Sequence, residues 1–218
     1  MTERAGLITA YWDAAAATFD DEPDHGLRAD ATRTAWIRLL HALLPAEPSD
    51  VLDIGCGTGS MSLLLAEAGH RPTGVDLAPR MLERARAKFE AAGVAGRFVV
   101  GDAMLPPTGT QQFDVVLSRH LVWTLPDPEA ALRAWVTRLR PGGRLVLVEG
   151  RWREAGQNGA PYVSGAESLP WTGGITAEDL AAAVRPLAAA VRIEPLSGNP
   201  DLWGGPVTDE RYALIADV

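Results

Sequence analysis

Length, composition and charge exclude several classes of protein before any motif is considered. The chain has 218 residues, of which 47% are hydrophobic and 22% charged, a balance typical of a single globular domain spanning residues 1–218. Twenty basic and 28 acidic residues give a net charge of −8, which argues against nucleic acid or anionic lipid as a partner. There is no apolar run of the ~20 residues that cross a membrane, and no signal-peptide pattern. We expect a cytoplasmic protein, monomeric or homodimeric.

Residues 1–45 predict a helical region that could cover a site as a lid. A helix is expected over about residues 7–18, followed by an acidic loop broken by Pro23 and Gly26. A second helix has apolar residues at i, i+3, i+4 and i+7 from Trp36, and Pro45 ends it.

From Val51 onward, short strands alternate with helices. Strands are predicted at 51–54, 73–75, 97–100, 113–117 and 144–148, and helices at 60–68, at 79–92 and from Pro128. This alternation indicates parallel strands joined by helical crossovers. The predicted fold is α/β, a Rossmann-like doubly wound sheet with helices on both faces.

The last third departs from this rhythm. Residues 151–174 are rich in Gly, Pro and Ser and are long for a connection, so we interpret them as a cap. Thr176 to Asp179 forms a capping box that begins a last helix. Two strand-like runs follow, at 191–196 and 212–218, and we expect an antiparallel last strand in a mostly parallel sheet.

A glycine-rich loop follows the first strand. Asp53-Ile54-Gly55-Cys56-Gly57-Thr58-Gly59 has the spacing G-x-G-x-G, whereas a dinucleotide fingerprint needs G-x-G-x-x-G, with its third glycine where Ser60 stands. An acidic residue two before the first glycine would repel a pyrophosphate but attract a cationic ligand. S-Adenosylmethionine, which carries an ammonium and a sulfonium, satisfies this condition.

The sequence resembles the class I S-adenosylmethionine-dependent methyltransferases, in particular the small-molecule group similar to the ubiquinone and menaquinone C-methyltransferases. The resemblance covers about residues 51–149. Five segments carry it, in the family's order: Val51–Gly59, Gly74–Leu82, Gly101–Ala103, Phe113–Ser118 and Leu139–Leu145.

The resemblance implies S-adenosylmethionine as the cofactor, S-adenosylhomocysteine as the product, and a set of cofactor-binding residues. Asp76 would accept both ribose hydroxyls, although it could also cap the helix that Pro79 opens, and Asp102 would contact the adenine amino group. Tyr11 could reach the methionine end of the cofactor with its hydroxyl. The full predicted set is Asp53, Gly55, Cys56, Gly57, Gly59, Asp76, Leu77, Met81, Asp102, Ala103, Ser118 and Tyr11. Cys56 is interpreted as a packing residue rather than a nucleophile.

Methyl transfer to oxygen or to a protonated nitrogen needs a base as well as alignment. His120 follows the fourth strand on the ligand side, and we predict a catalytic or substrate contact there. His25, in the acidic loop, is the second predicted catalytic residue, with a solvated side chain as the simpler alternative.

Substrate contacts are predicted for arginines and aromatic residues near these segments. Arg28 and Arg119 could each clamp a carboxylate with two parallel hydrogen bonds, or pair with an acidic neighbour. Aromatic walls suit an apolar or ring-bearing acceptor, with core packing as the alternative. The predicted aromatic contacts are Trp12, Phe19, Trp123, Trp152 and Trp171, whereas Trp36 and Trp135 lie on helix faces and are predicted to be core.

These observations favour an enzyme that methylates oxygen or nitrogen of a small metabolite. A peptide- or protein-modifying methyltransferase and a non-catalytic cofactor-binding module remain the alternatives. The net charge disfavours an RNA methyltransferase. No carboxylate cluster is evident near the acceptor segments, so no metal is expected.

Overall fold

A computed structural model of the chain describes residues 3–152 and 163–218. Within these residues, one seven-stranded sheet is flanked by helices. The strands are β1 Asp50–Ile54, β2 Arg71–Asp76, β3 Arg97–Val100, β4 Phe113–Arg119, β5 Leu139–Arg151, β6 Ala190–Pro195 and β7 Glu210–Asp217. The helices are α1 Glu3–Ala15, α2 Pro23–Gly26, α3 Asp30–Leu43, α4 Ser60–Glu67, α5 Pro79–Ala92, α6 Pro128–Val136 and α7 Ala177–Val184.

The sheet has the strand order β3-β2-β1-β4-β5-β7-β6. The pairs among β1 to β5 are parallel, and β7 runs antiparallel between β5 and β6. This confirms the predicted doubly wound, mostly parallel sheet with an antiparallel last strand. Strand order reverses beside β1, and ligands of open α/β sheets bind at such a point.

Both faces of the sheet are buried, because successive side chains of each strand point to opposite faces. Val116 of β4 packs in one hydrophobic cluster with α6 and α7, whereas Val115 and Leu117 pack in the other with α3 and α4. Trp36 and Trp135, predicted to be core, are fully buried in these two clusters.

Two predicted elements differ most from the structure in their boundaries. The first helix runs Glu3–Ala15 rather than 7–18, and β5 begins at Leu139 rather than at 144, so a turn at Gly142, where φ is +76°, lies inside the strand. The pairing of β4 with β5 shifts register between Phe113 and Val115, which accommodates this turn. The predicted cap, 151–174, includes residues 153–162, which lie outside the described part of the chain. Among the described residues, none of the helices is long and apolar enough to cross a membrane.

Candidate functional site

A cavity of about 610 Å³ lies at the carboxyl ends of β1, β2 and β4. The glycine loop after β1 forms one wall, and residues 119–126, which follow β4, form another. Side chains from α1 and α2, and from the turn between them, cover it, among them Trp12, Phe19 and His25. The N-terminal region therefore lies over the ligand end of the sheet, where a lid is predicted.

Backbone hydrogen bonds hold the glycine loop against β2. The N–H groups of Gly55 and Cys56 both donate to the Val75 carbonyl, at 2.8 and 3.1 Å. Gly55 and Gly57 have φ of +70° and +54°, in the left-handed region that favours glycine. A Cβ built on Gly57 would lie 3.5 Å from the Phe19 ring, so a side chain there would fill the space between loop and lid.

Asp76 lies at the end of β2, beside this loop. Its Oδ2 accepts from the Gly57 N–H at 2.8 Å and its Oδ1 from the Ala78 N–H at 2.9 Å. Burial raises the pKa of Asp76, while these two hydrogen bonds oppose the shift. Each carboxylate oxygen can accept a second hydrogen bond, so Asp76 can still receive a diol from the cavity.

Asp53, at the end of β1, and Cys56, in the glycine loop, also line the cavity. Asp53 is buried, accepts from the Ser62 hydroxyl at 2.5 Å, and has a pKa raised to about 6 by burial. A cationic ligand nearby would favour its ionised form. Burial raises the pKa of the Cys56 thiol well above its ordinary value, so it is not activated as a nucleophile. A Cβ on Gly74 would lie 2.7 Å from the Cys56 Sγ, so the thiol packs tightly beneath the loop.

Most of the predicted cofactor residues line the cavity: Asp53, Gly55, Cys56, Gly57, Asp76, Leu77, Met81, Asp102 and Ala103. Asp102 is exposed, and its Oδ1 accepts from the Met104 N–H at 2.8 Å.

Three predicted cofactor residues are not among the lining residues in the described ranges. Ser118 is fully buried and donates its hydroxyl to the Ile54 carbonyl at 3.0 Å, linking β4 to β1. Tyr11 is 40% exposed on α1 and contacts Trp12 edge-on. Gly59 has φ +77° and no room for a Cβ, which would lie 2.8 Å from that of Ala85. Its absent side chain lets α4 and α5 approach each other.

The two predicted catalytic histidines, 95 residues apart, meet at the cavity wall. His120 has φ +55°, rare for a residue with a side chain, and its backbone N–H donates to the Val148 carbonyl at 2.9 Å. Its ring stacks on Trp203 at 5.9 Å and meets Trp152 edge-on at 4.9 Å. Burial holds the pKa of His120 well below its ordinary value, so the ring is neutral at pH 7.

His25 lies in α2, stacked on Phe19 with ring centroids 4.2 Å apart. Burial and, secondarily, the Arg119 guanidinium lower the pKa of His25. A neutral imidazole can accept a proton or bind a metal ion.

The predicted substrate residues divide into two groups. Those lining the cavity are Trp12, Phe19, Arg119, Trp123 and Trp152. Arg28 is exposed and pairs with Asp21 at 3.1 Å, and Trp171 packs against the core cluster of α6 and α7, so neither lines this cavity. Arg119 donates to the Asp24 carbonyl and lies over the Trp36 ring, so it is engaged in holding α2.

Lys88 is a structural residue that the sequence analysis does not predict. Its ammonium donates to Asp20 and Thr58, each at 2.9 Å, and to Ser60 at 2.8 Å. Asp20 belongs to the turn after α1, and the two hydroxyls flank the end of the glycine loop. This half-buried cluster therefore joins the segment after α1 to the glycine loop. Its members come from three distant segments, and no local motif indicates it.

Glu149, near the end of β5, is also missed. Its side chain is buried, and Oε1 accepts from the N–H groups of Leu121 and Val122, at 2.9 and 3.1 Å. Burial raises the pKa of Glu149 to about 8. The carboxyl group thus holds the backbone of the segment that follows His120. A charged residue within an apolar strand is the one signal that marks it.

Known proteins of similar sequence are methyltransferases. Residues 52–147 match the family model described as a methyltransferase domain. The demethylmenaquinone methyltransferase of Thermus thermophilus is 37% identical over 141 residues, which are 63% of this chain and 64% of that protein. The ubiquinone biosynthesis O-methyltransferase of Xanthomonas axonopodis pv. citri is 33% identical over 144 residues, 66% of this chain and 57% of that protein. The chain spans less than two thirds of the length of these relatives.

A solved structure gives the same fold. The N-methyltransferase NodS of Bradyrhizobium japonicum, in complex with S-adenosylhomocysteine, superposes with a TM-score of 0.67, covering 94% of this chain and 97% of that chain at 18% identity. At this identity the likeness establishes the architecture alone.

A doubly wound sheet with a glycine loop and a buried carboxylate at its switch point defines a cofactor-binding α/β domain. The family match over residues 52–147 and the curated relatives show that this part of the chain is similar to S-adenosylmethionine-dependent methyltransferases of class I.

Proposed function

We propose that this chain transfers the methyl group of S-adenosylmethionine to an oxygen or nitrogen atom of a small metabolite, with a ring-bearing acceptor favoured. One observation carries the proposal. A single cavity is bounded on one side by the glycine loop and Asp76 and on the other by His25, His120 and aromatic rings.

The glycine loop, Asp53 and Asp76 form one wall of the cavity, called the cofactor wall below. This wall fits the group that the family implies. Asp76 has lone pairs left for the ribose hydroxyls, the loop glycines leave room for a ligand, and Asp53 would compensate a cationic group. When bound, S-adenosylmethionine supplies a methyl group activated by its sulfonium. The wall's own contribution is to hold that group at a constant place relative to the acceptor.

The other wall, called the acceptor wall below, contains His25, His120 and aromatic rings. It offers proton acceptors and flat surfaces to the acceptor. His120 and His25 are neutral at pH 7, since burial lowers both pKa values, and each can take a proton from an acceptor hydroxyl or ammonium. Trp12, Trp123 and Trp152 offer flat apolar surface to a ring.

The size of the cavity, about 610 Å³, favours a small acceptor. Phe19 and Trp12 of the N-terminal region line it, and Lys88 attaches that region to the glycine loop. A peptide would need an open groove, and a nucleic acid would meet a chain with a net charge of −8.

The test is label transfer from methyl-tritiated S-adenosylmethionine into an extract of the source cells, followed by separation by size. We expect heat-sensitive label in the small-molecule fraction. Label in protein or RNA would overturn the substrate class, and the absence of label above a heat-killed control would favour a non-catalytic binding module.

The variant His120→Asn sharpens this test, because asparagine tolerates the left-handed backbone of position 120. We expect turnover at saturating cofactor to fall by about 10²–10⁴-fold with unchanged affinity for S-adenosylhomocysteine. Undiminished turnover would remove His120 from the chemistry.

A further inference from the structure

Two histidines on the cavity wall and an aspartate beside them bring metal-binding atoms together. Asp24, His25 and His120 each offer a donor atom, and these atoms lie within 4.8 Å of one another. Two of the residues come from α2 and the third from the loop after β4, and all three are half-buried. Two imidazoles and one carboxylate are a ligand set that suits divalent first-row transition metals.

His25 is oriented as metal-binding histidines are. Its Nδ1 lies 3.3 Å from the Phe19 carbonyl, so Nδ1–H can donate there and leave the lone pair on Nε2. Ligand histidines in proteins nearly always donate their second ring nitrogen to a carbonyl or carboxylate in this way. Stacking on Phe19 also restrains the ring.

A second, independent observation at His120 points to a bound ligand. Its Nε2 is inaccessible to water and has no hydrogen-bond partner within the described parts of the chain. A buried polar atom without a partner costs about 1–3 kcal/mol. The left-handed backbone of His120 adds strain at the same residue, as occurs at binding sites.

Asp24 is positioned by Arg119, which donates to its carbonyl and lies 4.0 Å from its carboxylate. A guanidinium beside a cation site is unfavourable by itself. Here the Asp24 carboxylate beside the guanidinium compensates part of its charge.

We propose that Asp24, His25 and His120 form a three-ligand site for a divalent first-row transition metal ion, with its remaining coordination positions facing the cavity. Protein ligands lie about 2.0–2.2 Å from zinc, so binding would draw the three donor atoms closer together. The site went unpredicted because its carboxylate and its second histidine are far apart in the sequence.

This inference deepens the proposed function and rests on it for the role of the ion. A cation here would select acceptors that offer an oxygen ligand, such as a hydroxyl or carboxylate, and would hold that oxygen toward the cofactor wall. The histidines would then orient the acceptor through the ion instead of receiving its proton directly.

The test uses the full chain, purified without a histidine tag, treated with a chelator and dialysed. Titration with Co²⁺ should give visible absorption bands that saturate at one equivalent, and Zn²⁺ should displace them. Absence of a saturable one-equivalent spectrum would overturn the proposal.

Variants assign the ligands. His25→Gln and His120→Asn should each weaken Co²⁺ binding by more than about 100-fold, because loss of an outer-shell partner alone typically costs 10–100-fold. His41→Ala, an exposed histidine at the end of α3, should bind as the parent does. Binding that survives both ligand variants, with folding verified by circular dichroism, would place the ion elsewhere and refute the site.

Binding of S-adenosylhomocysteine, measured by calorimetry in the same preparations, separates the two proposals. Cofactor binding and label transfer without metal binding would leave the methyltransferase function standing and remove the metal site. Metal binding by the ligand set without cofactor binding would support the metal site and contradict the proposed function.

Discussion

The cofactor wall and the acceptor wall of the cavity are built in different ways. The cofactor wall comes largely from one stretch that contains two neighbouring strands. In it the Gly55 N–H donates to the Val75 carbonyl and the Gly57 N–H donates to the Asp76 carboxylate. The acceptor wall joins α2 to the loop after β4, through side chains such as Arg119 and Asp24 that are 95 residues apart. The first can be predicted from local spacing, and the second needs the folded chain.

The two walls also differ in their titratable and charged groups. The cofactor wall holds the buried acids Asp53 and Asp76, each with hydrogen-bond partners. The acceptor wall concentrates two neutral histidines and one buried arginine, supported from below by Glu149. Substitutions in each wall should therefore produce different changes.

Glu149→Gln should have the largest effect, on the pH dependence of stability. Burial raises the pKa of Glu149 from 4.5 to about 8, so between these values the folded state binds a proton that the unfolded state has lost. Stability therefore falls as pH rises through this window, by about 1.4 kcal/mol per pH unit. Glutamine cannot ionise and still accepts from Leu121 and Val122, so this contribution should disappear.

Urea unfolding at pH 5.5 and 7.5 measures this change. The parent should lose about 2–3 kcal/mol more than Glu149→Gln between the two pH values. The exposed Glu129→Gln on α6 should keep the parent's dependence. Equal slopes in the parent and Glu149→Gln would show that Glu149 is ionised in the folded protein.

Asp76→Ala should have the next largest effect and should act on the cofactor wall. Loss of a charged hydrogen-bond acceptor should weaken S-adenosylhomocysteine binding by about 1.5–3 kcal/mol, roughly 10- to 150-fold. Calorimetry at 25 °C provides the measurement. Asp13→Ala is the matched control, since Asp13 accepts from the Arg80 N–H at 2.8 Å and is not described as lining the cavity. Equal affinities for the two variants would refute the ribose role of Asp76.

Lys88→Met should have the smallest effect. It tests whether Lys88 holds the N-terminal region to the glycine loop. Methionine fills similar space but leaves Asp20 without its cation, so the lid region should detach more often from the glycine loop. We expect cofactor affinity to fall by about 1 kcal/mol, roughly fivefold. Hydrogen exchange at residues 16–27 should rise in parallel.

Arg86→Met, on the same helix, controls for loss of a long basic side chain, because Arg86 donates only to the Phe98 carbonyl among the contacts described. If Lys88→Met and Arg86→Met exchange alike at residues 16–27, Lys88 does not hold the lid.

Part of the cavity lining follows from local sequence, because strand ends and glycine spacing are local properties. Asp76, Gly55 and Gly57 line the cavity, whereas Gly59 is not among the lining residues described. Arg28, Trp171, Ser118 and Tyr11 were singled out by their position near relevant segments, and none of them is among the lining residues described. Residue type and order do not encode which way a side chain points.

Apolar periodicity, helix signals and the G-x-G-x-G loop by themselves determined the doubly wound sheet, the order of its elements and the family of cofactor. These properties depend on neighbours within a few residues of one another. Only the tertiary structure decided that His25 and His120 meet, that Lys88 joins the lid to the loop, and that Glu149 is buried under the acceptor wall. Such contacts depend on how helices pack on a twisted sheet, because packing brings together side chains that no sequence interval relates.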